Sequence, residues 1–269
     1  MPVGPAIYVI SEMNKRENKK FRFFPKAQGL YDPRNEHDSC GVGFIVNING
    51  VKDHTIIENG ITVLKNLLHR GAIGGDLLTG DGAGLLFQIP DVFFREKCSK
   101  SGITLPSPGE YGVGMIFMPQ GHGPQKQCTQ IMESAVTSEG LGFLGWRDVP
   151  VNSNAIAGQA REMQPVIMQC FIDGSGLNPS NLERKLYIIR KQVERKALEV
   201  LNDEEMFYIP SMSCRTIVYK GLLTGVQLAE FYEDLNYPSV ITAMAVTSKI
   251  QHKYISILGT CSTLSLSCP

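Results

Sequence analysis

The sequence predicts an α+β fold, and three observations carry that reading. An apolar run, Cys40-Gly-Val-Gly-Phe-Ile-Val-Asn-Ile48, alternates as a buried strand does. Residues 53–69 and 178–201 repeat apolar side chains at three- and four-residue steps, as amphipathic helices do. Around them strands and helices follow in irregular order, with no βαβ repeat and no internal repeat of any period. That order suits stacked sheets flanked by helices better than a parallel sheet.

Residues 1–39 are polar and hold the basic run Asn14-Lys-Arg-Glu-Asn-Lys-Lys20, the composition of a solvated arm. Cys40 then heads the first strand, where Gly41 and Gly43 permit other backbone to come close. A cysteine there either fills space, as buried cysteines commonly do, or is a rigidly placed nucleophile. The helix over 53–69 turns Ile57, Ile61, Leu64 and Leu68 to the sheet and delivers His69-Arg70-Gly71 to a loop. On composition alone Arg70 is a cation favoured at a helix C-terminus.

Residues 71–84 hold six glycines. A phosphate loop is excluded, because no Lys-Ser/Thr follows and residues 85–89 read as a strand rather than a helix. The glycines allow tight turns, and Asp81 among them either touches a ligand or simply forms a turn. Downstream, strands are predicted over 111–118, 141–149, 165–172 and 215–222, with a helix over 125–139. Asn178 can cap the helix that points Leu182, Leu186, Ile189 and Val193 inward. Thr224-Gly-Val-Gln227 fits a capping box opening a helix through Leu235. Trp146, the single tryptophan, reads as core.

The chain is long enough to bury a real core, at 269 residues with 43% hydrophobic and 19% charged. Lys and Arg balance Asp and Glu at 26 each, which points away from nucleic-acid and membrane-surface partners. No apolar run approaches the ~18 residues of a membrane helix, and the first ten residues lack the basic start of a secretory signal. Seven cysteines without a C-x-x-C pair describe neither a zinc site nor a disulfide framework. A reducing, cytoplasmic setting is expected, an organelle remaining open. Cys98, Cys128, Cys170, Cys214, Cys261 and Cys268 read as structural.

The stretch Gly29-Leu-Tyr-Asp-Pro-Arg-Asn-Glu-His-Asp-Ser-Cys-Gly-Val-Gly-Phe44 is followed by Leu68-His-Arg-Gly71 and Leu78-Thr-Gly-Asp-Gly-Ala-Gly84. With Tyr111-Gly-Val-Gly-Met-Ile-Phe-Met-Pro-Gln120, Leu144-Gly-Trp-Arg-Asp-Val-Pro-Val151 and Ser213-Cys-Arg-Thr-Ile-Val-Tyr-Lys-Gly-Leu-Leu223, it resembles the class II glutamine amidotransferase domain of the glutamate synthase family. The resemblance implies the four-layer αββα sandwich of N-terminal-nucleophile hydrolases, incomplete here at the C-terminus. It implies a leader over 1–39, an amidotransferase domain over 40–237 and a divergent tail over 238–269. Cleavage of the Ser39–Cys40 bond would free Cys40 as nucleophile, its own α-amino group acting as base near neutrality. Arg70, Gly71 and Asp81 would bind substrate. The implied substrate is L-glutamine, hydrolysed through a γ-glutamyl thioester to release ammonia. Partner synthase domains, with FMN and an iron–sulfur cluster absent from these residues, would use it to make glutamate from 2-oxoglutarate.

Past residue 237 the family pattern continues into His-Ser-Arg-Phe-Ser-Thr-Asn and then Gly-His-Asn-Gly-Glu. The first supplies the arginine that holds the glutamine carboxylate, the second the oxyanion-hole donors. Here the chain runs Pro238-Ser-Val-Ile-Thr-Ala-Met-Ala-Val-Thr-Ser-Lys-Ile-Gln-His252, and no Asn-Gly occurs past Asn59-Gly60. An open sheet edge beside Cys40 and little glutaminase activity are therefore expected. The alternatives are an inactive truncated fragment acting, if at all, as an interaction module, and an unrelated cysteine hydrolase pairing Cys40 with His37 or His69.

Overall fold

The computed structural model describes residues 7–8, 41–68, 80, 82–201 and 206–249. Strand β1 (Ile7–Tyr8) pairs antiparallel with β2 (Gly41–Val46), which is followed by helix α1 (Thr55–Asn66). Strand β3 (Ala83–Gln88), helix α2 (Asp91–Lys100), strand β4 (Tyr111–Met118), helix α3 (His122–Ser138) and strand β5 (Gly142–Asp148) come next. A short helix α4 (Gly158–Glu162) leads to β6 (Val166–Asp173) and the long α5 (Pro179–Val200). The chain then forms β7 (Tyr208–Ser213), β8 (Thr216–Gly221), the five-residue α6 (Gln227–Phe231) and β9 (Met244–Lys249). The result is an α+β architecture with two antiparallel sheets: sheet one in the order β1-β2-β9-β3-β8, sheet two in the order β5-β6-β4-β7.

Alternation decides which face each strand buries. In sheet two, Ile116, Met118, Cys170 and Ile172 pack against α3 and α5, through Cys128, Met132, Leu182, Leu186, Ile189 and Val193. Val113, Met115, Ile167 and Phe171 turn the other way and join Leu85, Phe87, Ile217 and Tyr219 of sheet one in a second core. Helix α1 belongs to that same core, resting on β2, β9 and β3. Its approach depends on glycine: a Cβ on Gly60 would stand 2.8 Å from Leu85 Cδ1, and one on Gly43 would stand 2.6 Å from Val63 Cγ1. The opposite face of sheet one carries Val42, Phe44, Leu86, Val218 and Val246, which are half-buried to exposed.

Most predicted elements form within a few residues of their expected bounds. Asn178 caps α5, its Oδ1 accepting from Asn181 N at 2.9 Å, with Pro179 in the first turn. The capping box also forms: Thr224 N donates to Gln227 Oε1 at 2.8 Å and Gln227 N to Thr224 Oγ1 at 3.4 Å. The helix it opens stops at Phe231 rather than Leu235. Tyr232 takes extended dihedrals so that its hydroxyl donates to Lys220 O at 2.7 Å, and a 3-10 turn over Glu233–Asn236 swings Asp234 inward. Trp146 is partly buried beside Phe143, and its Nε1 donates to Glu133 Oε1 at 2.9 Å. Cys98, Cys128, Cys170 and Cys214 are buried and form no disulfide, whereas Cys261 and Cys268 lie outside the described residues.

Strand β2 pairs along its whole length with β9 on one side, and with β1 only at Phe44 and Ile45 on the other, so among the described residues Gly41–Gly43 have a strand partner on one side only. Strand β9 comes from residues read as divergent tail, yet it sits in the middle of sheet one. Its pattern was hidden because two of its three buried positions carry polar groups, Thr247 and Lys249 beside Ala245.

Candidate active site

The ends of four strands meet in one row. Gly41 of β2 lies opposite Lys249 of β9, Lys249 lies opposite Ala83 of β3, and Ala83 lies opposite Gly221 of β8. Cys40 directly precedes the first member of this row, and Asp81 stands two residues before the third. Helix α1 points its C-terminal end at the same place. A Cβ on Gly41 would be 3.1 Å from Leu67 Cδ1, so α1 runs out against the strand that Cys40 heads. Arg70 and Gly71 follow three and four residues after Leu67. Cys40, Arg70, Gly71, Asp81, His37 and His69 themselves lie outside the described residues; what is described is the frame from which they depart.

The frame is tightly closed. Any Cβ on Gly80 would collide with the Leu223 backbone, and one on Gly225 would collide with Leu64 O at the end of α1. Lys249 is buried at 1% exposure, and its Nζ donates to Leu223 O at 3.4 Å. A fully buried lysine is uncommon, since the ammonium is costly to take out of water. Here it sits in the row between the strand beginning at Gly41 and the strand beginning at Ala83. Beside it, Thr247 Oγ1 donates to Gly43 O at 3.1 Å, which pins β9 to β2.

A second buried polar group lies elsewhere and is closed on itself. Arg147 of β5 donates through Nη1 and Nη2 to Asp234 at 2.8 and 2.7 Å, and through Nη1 to Gln169 Oε1 at 2.7 Å. Gln169 Nε2 donates to Tyr219 Oη at 3.0 Å, and Tyr219 Oη donates to Asp234 Oδ2 at 2.9 Å. Burial raises the Tyr219 phenol well above its ordinary value, and the Asp234 charge adds to the effect. Burial opposes the Arg147 charge, but the Asp234 carboxylate outweighs it and raises the guanidinium's value. Such a satisfied ring ties sheet two to sheet one and to the turn after α6; it offers no free group for chemistry.

An open cleft of about 340 Å³ between Glu139, Gly142, Asp173 and Lys185 is likewise structural. Lys185 Nζ donates to Glu139 O and Asp173 Oδ1 accepts from Ser175 N. Among the described residues no three His, Cys, Asp or Glu side chains converge as metal ligands do. Three of the described thiols are poor nucleophiles: burial pushes Cys98 up to about 11 and both Cys170 and Cys214 up to about 12.

A row of strand ends with a cysteine entering at its head is the arrangement expected of an N-terminal-nucleophile site. Residues 40–254 match the family model of glutamine amidotransferases class II. The chain belongs to the class II glutamine amidotransferases. Its first residue of match is Cys40, and the match runs past residue 237 to include β9. The amidotransferase chain is 46% identical over 224 residues to the glutamate synthase [NADPH] large chain of Bacillus subtilis, covering 82% of this chain and 14% of that protein. It is 39% identical over 212 residues to ferredoxin-dependent glutamate synthase 2 of Synechocystis, covering 78% and 13%. It is 37% identical over 229 residues to the glutamate synthase [NADH] of Schizosaccharomyces pombe, covering 82% and 11%. The chain thus spans roughly one seventh or less of the relatives it matches.

Lys249 is the residue that sequence reasoning passed over. The signal for it was Thr247-Ser248-Lys249-Ile250, which keeps the serine and the position of a cation where the family pattern reads His-Ser-Arg-Phe. With two of four residues changed in type, only the strand register made the match legible.

Proposed function

We propose that this chain is the glutamine-hydrolysing part of a glutamate synthase, with Cys40 as its nucleophile. The observation that carries the reading is the row Gly41–Lys249–Ala83–Gly221, which gathers the points of departure of Cys40, Asp81 and the Arg70-Gly71 loop at one end of one sheet. After removal of residues 1–39, the α-amino group of Cys40 takes the thiol proton and the sulfur attacks the side-chain amide carbon of L-glutamine. The C–N bond breaks, ammonia leaves with that proton, and water then cleaves the γ-glutamyl thioester to glutamate. Arg70, Gly71 and Asp81 line the substrate. Lys249 supplies the positive charge for the substrate α-carboxylate. Being buried, it meets that carboxylate away from water, where charge-assisted hydrogen bonds are strong. Lysine offers a point charge where arginine offers a planar fork, so orientation of the substrate is looser.

Ammonia passes to the synthase domains of a longer protein, and the FMN and iron–sulfur chemistry belongs there. A cytoplasmic or organellar reducing compartment suits the four described cysteines, which form no disulfide. Among the described residues no helix is long and apolar enough to cross a membrane.

Intact mass tests the first step and a glutamine-mimicking electrophile the second. Loss of residues 1–39 with the label on Cys40 supports the reading. A retained leader with an unlabelled Cys40 supports the second one, an inert fragment.

A further inference from the structure

Among the described residues, β8 ends the order of sheet one and has β3 as its strand neighbour on one side only. Its last residue, Gly221, stands in the site row opposite Ala83, so a strand end that could fray lies where the site needs order. Tyr232 ties that end down. Its hydroxyl donates to Lys220 O at 2.7 Å, one residue before Gly221. The side chain is itself locked: it is 0% exposed, and its ring meets Tyr219 edge-on at 5.0 Å and Phe231 at 4.9 Å. Its backbone bridges to Val151. Burial, and then the Asp234 charge, raise its phenol above the ordinary value, so the hydroxyl stays a donor.

From Lys220 the constraint passes to Leu223. The Leu223 side chain folds back over Gly221, where a Cβ would stand 3.2 Å from Leu223 Cδ1. The Leu223 carbonyl accepts from Lys249 Nζ at 3.4 Å, and a Cβ on Gly80 would collide with that same carbonyl. Gly80 is the residue before Asp81. One backbone carbonyl thus touches both the buried cation and the strand of chain that leads to Asp81. Beyond it, Thr224 N is held by Gln227 Oε1 at 2.8 Å, so the turn is fixed at both ends.

We propose that Tyr232 is a positioning residue of the glutamine site: its bond to Lys220 O fixes the Leu223 carbonyl, and that carbonyl aims the Lys249 ammonium at the substrate α-carboxylate. This rests on the amidotransferase reading and on Lys249 as the cation for that carboxylate. A guanidinium carries its direction in its own planar fork, whereas an ammonium is a point charge on a flexible stem. Its direction is set from outside, by a carbonyl that takes one of its three donors.

Isothermal titration of the 269-residue chain with L-glutamine and with γ-aminobutyramide, the same amide without its α-carboxylate, tests this. Tyr232→Phe is expected to weaken L-glutamine binding about fivefold, the worth of one net hydrogen bond, and to leave γ-aminobutyramide unchanged. Lys249→Met is expected to weaken L-glutamine binding at least about tenfold. In that background Tyr232→Phe costs nothing more, because the group it acts through is gone. Thr224→Val loosens the other end of the turn and is expected to cost about twofold with the same selectivity. It decides the question if circular dichroism shows the phenylalanine variant unfolded. If Tyr232→Phe weakens neither amide, weakens both alike, or keeps its full effect beside Lys249→Met, the positioning role is overturned and the amidotransferase reading stands. Binding of neither amide by the unsubstituted chain would overturn that reading, and the role of Tyr232 with it.

Discussion

Asp234 accepts three hydrogen bonds inside the protein, two from Arg147 and one from Tyr219, and is 0% exposed. Removing one partner of such a pair leaves a charge without compensation in a place water cannot reach. Asp234→Ala is therefore expected to destabilise the fold by about 3–5 kcal/mol. Tyr219→Phe, which removes one neutral donor, should cost about 1 kcal/mol. Denaturant titration followed by fluorescence of Trp146 separates the two, and equal losses would show that the guanidinium is not held by this carboxylate. The thiols give a second residue-scale expectation. With Cys98, Cys170 and Cys214 pushed up by burial, a glutamine-mimicking electrophile at neutral pH should label Cys40 and leave those three unmodified. Peptide mass mapping reads the outcome directly.

Helix α5 shows how an element draws its stability from both ends of the scale. Its inward stripe supplies packing against sheet two, while Asn178 satisfies an amide at the first turn that has no partner within the helix. Asn178→Ala is expected to lower stability by about 1 kcal/mol without changing the fold, as thermal unfolding by circular dichroism would show. Strand β2 and helix α1 make the opposite case, in which nothing may be added. A valine at position 43 would drive its Cβ to 2.6 Å from Val63 Cγ1 and 2.9 Å from Thr247 Oγ1. Gly43→Val should cost about 1–3 kcal/mol by overpacking, and because β2 begins at the residue after Cys40, it should disturb the candidate nucleophile as well.

At the scale of the whole molecule, chemistry depends on groups that arrive from different segments. Attack on an amide places negative charge on oxygen, and losing one preorganised donor costs on the order of 10²–10³ in kcat. The 269 residues contain no Asn-Gly pair past Asn59-Gly60 of helix α1, so the purified chain with its leader removed is expected to hydrolyse glutamine at least ~100-fold more slowly than an intact amidotransferase domain. An ammonia-release assay checks this; turnover within tenfold would mean that other donors serve. Alkaline pH tests the core as a unit. Cys170 has a folded value of about 12 against an ordinary 9.0, so the protonated thiol is favoured in the native state. Its contribution is whole below about pH 9 and is lost as pH rises towards 12. Tm should fall over that window, and fall less steeply in Cys170→Ala.

Local pattern was enough for much of this protein. The alternation of Tyr111 to Met118, the stripe of Leu182, Leu186, Ile189 and Val193, the Asn178 cap and the Thr224–Gln227 box are each written within a few residues of one another. Helix and strand periods and side-chain caps are short-range physics. The cysteine at the head of an apolar strand, and the glycines after it, were legible for the same reason. Tertiary structure alone decided the rest. Strand β9 carries Thr247 and Lys249 at buried positions, which no period-2 hydrophobic pattern reveals. Its place between β2 and β3 comes from pairing with strands far away in the sequence, Gly41 opposite Lys249 and Ala83 opposite the same lysine. Helix α6 ends early because Asp234 is needed by Arg147, 87 residues away. Lys249 became a candidate site residue only when register set it between Gly41 and Ala83, since hydrogen-bonded pairing between distant strands leaves no mark on either strand alone.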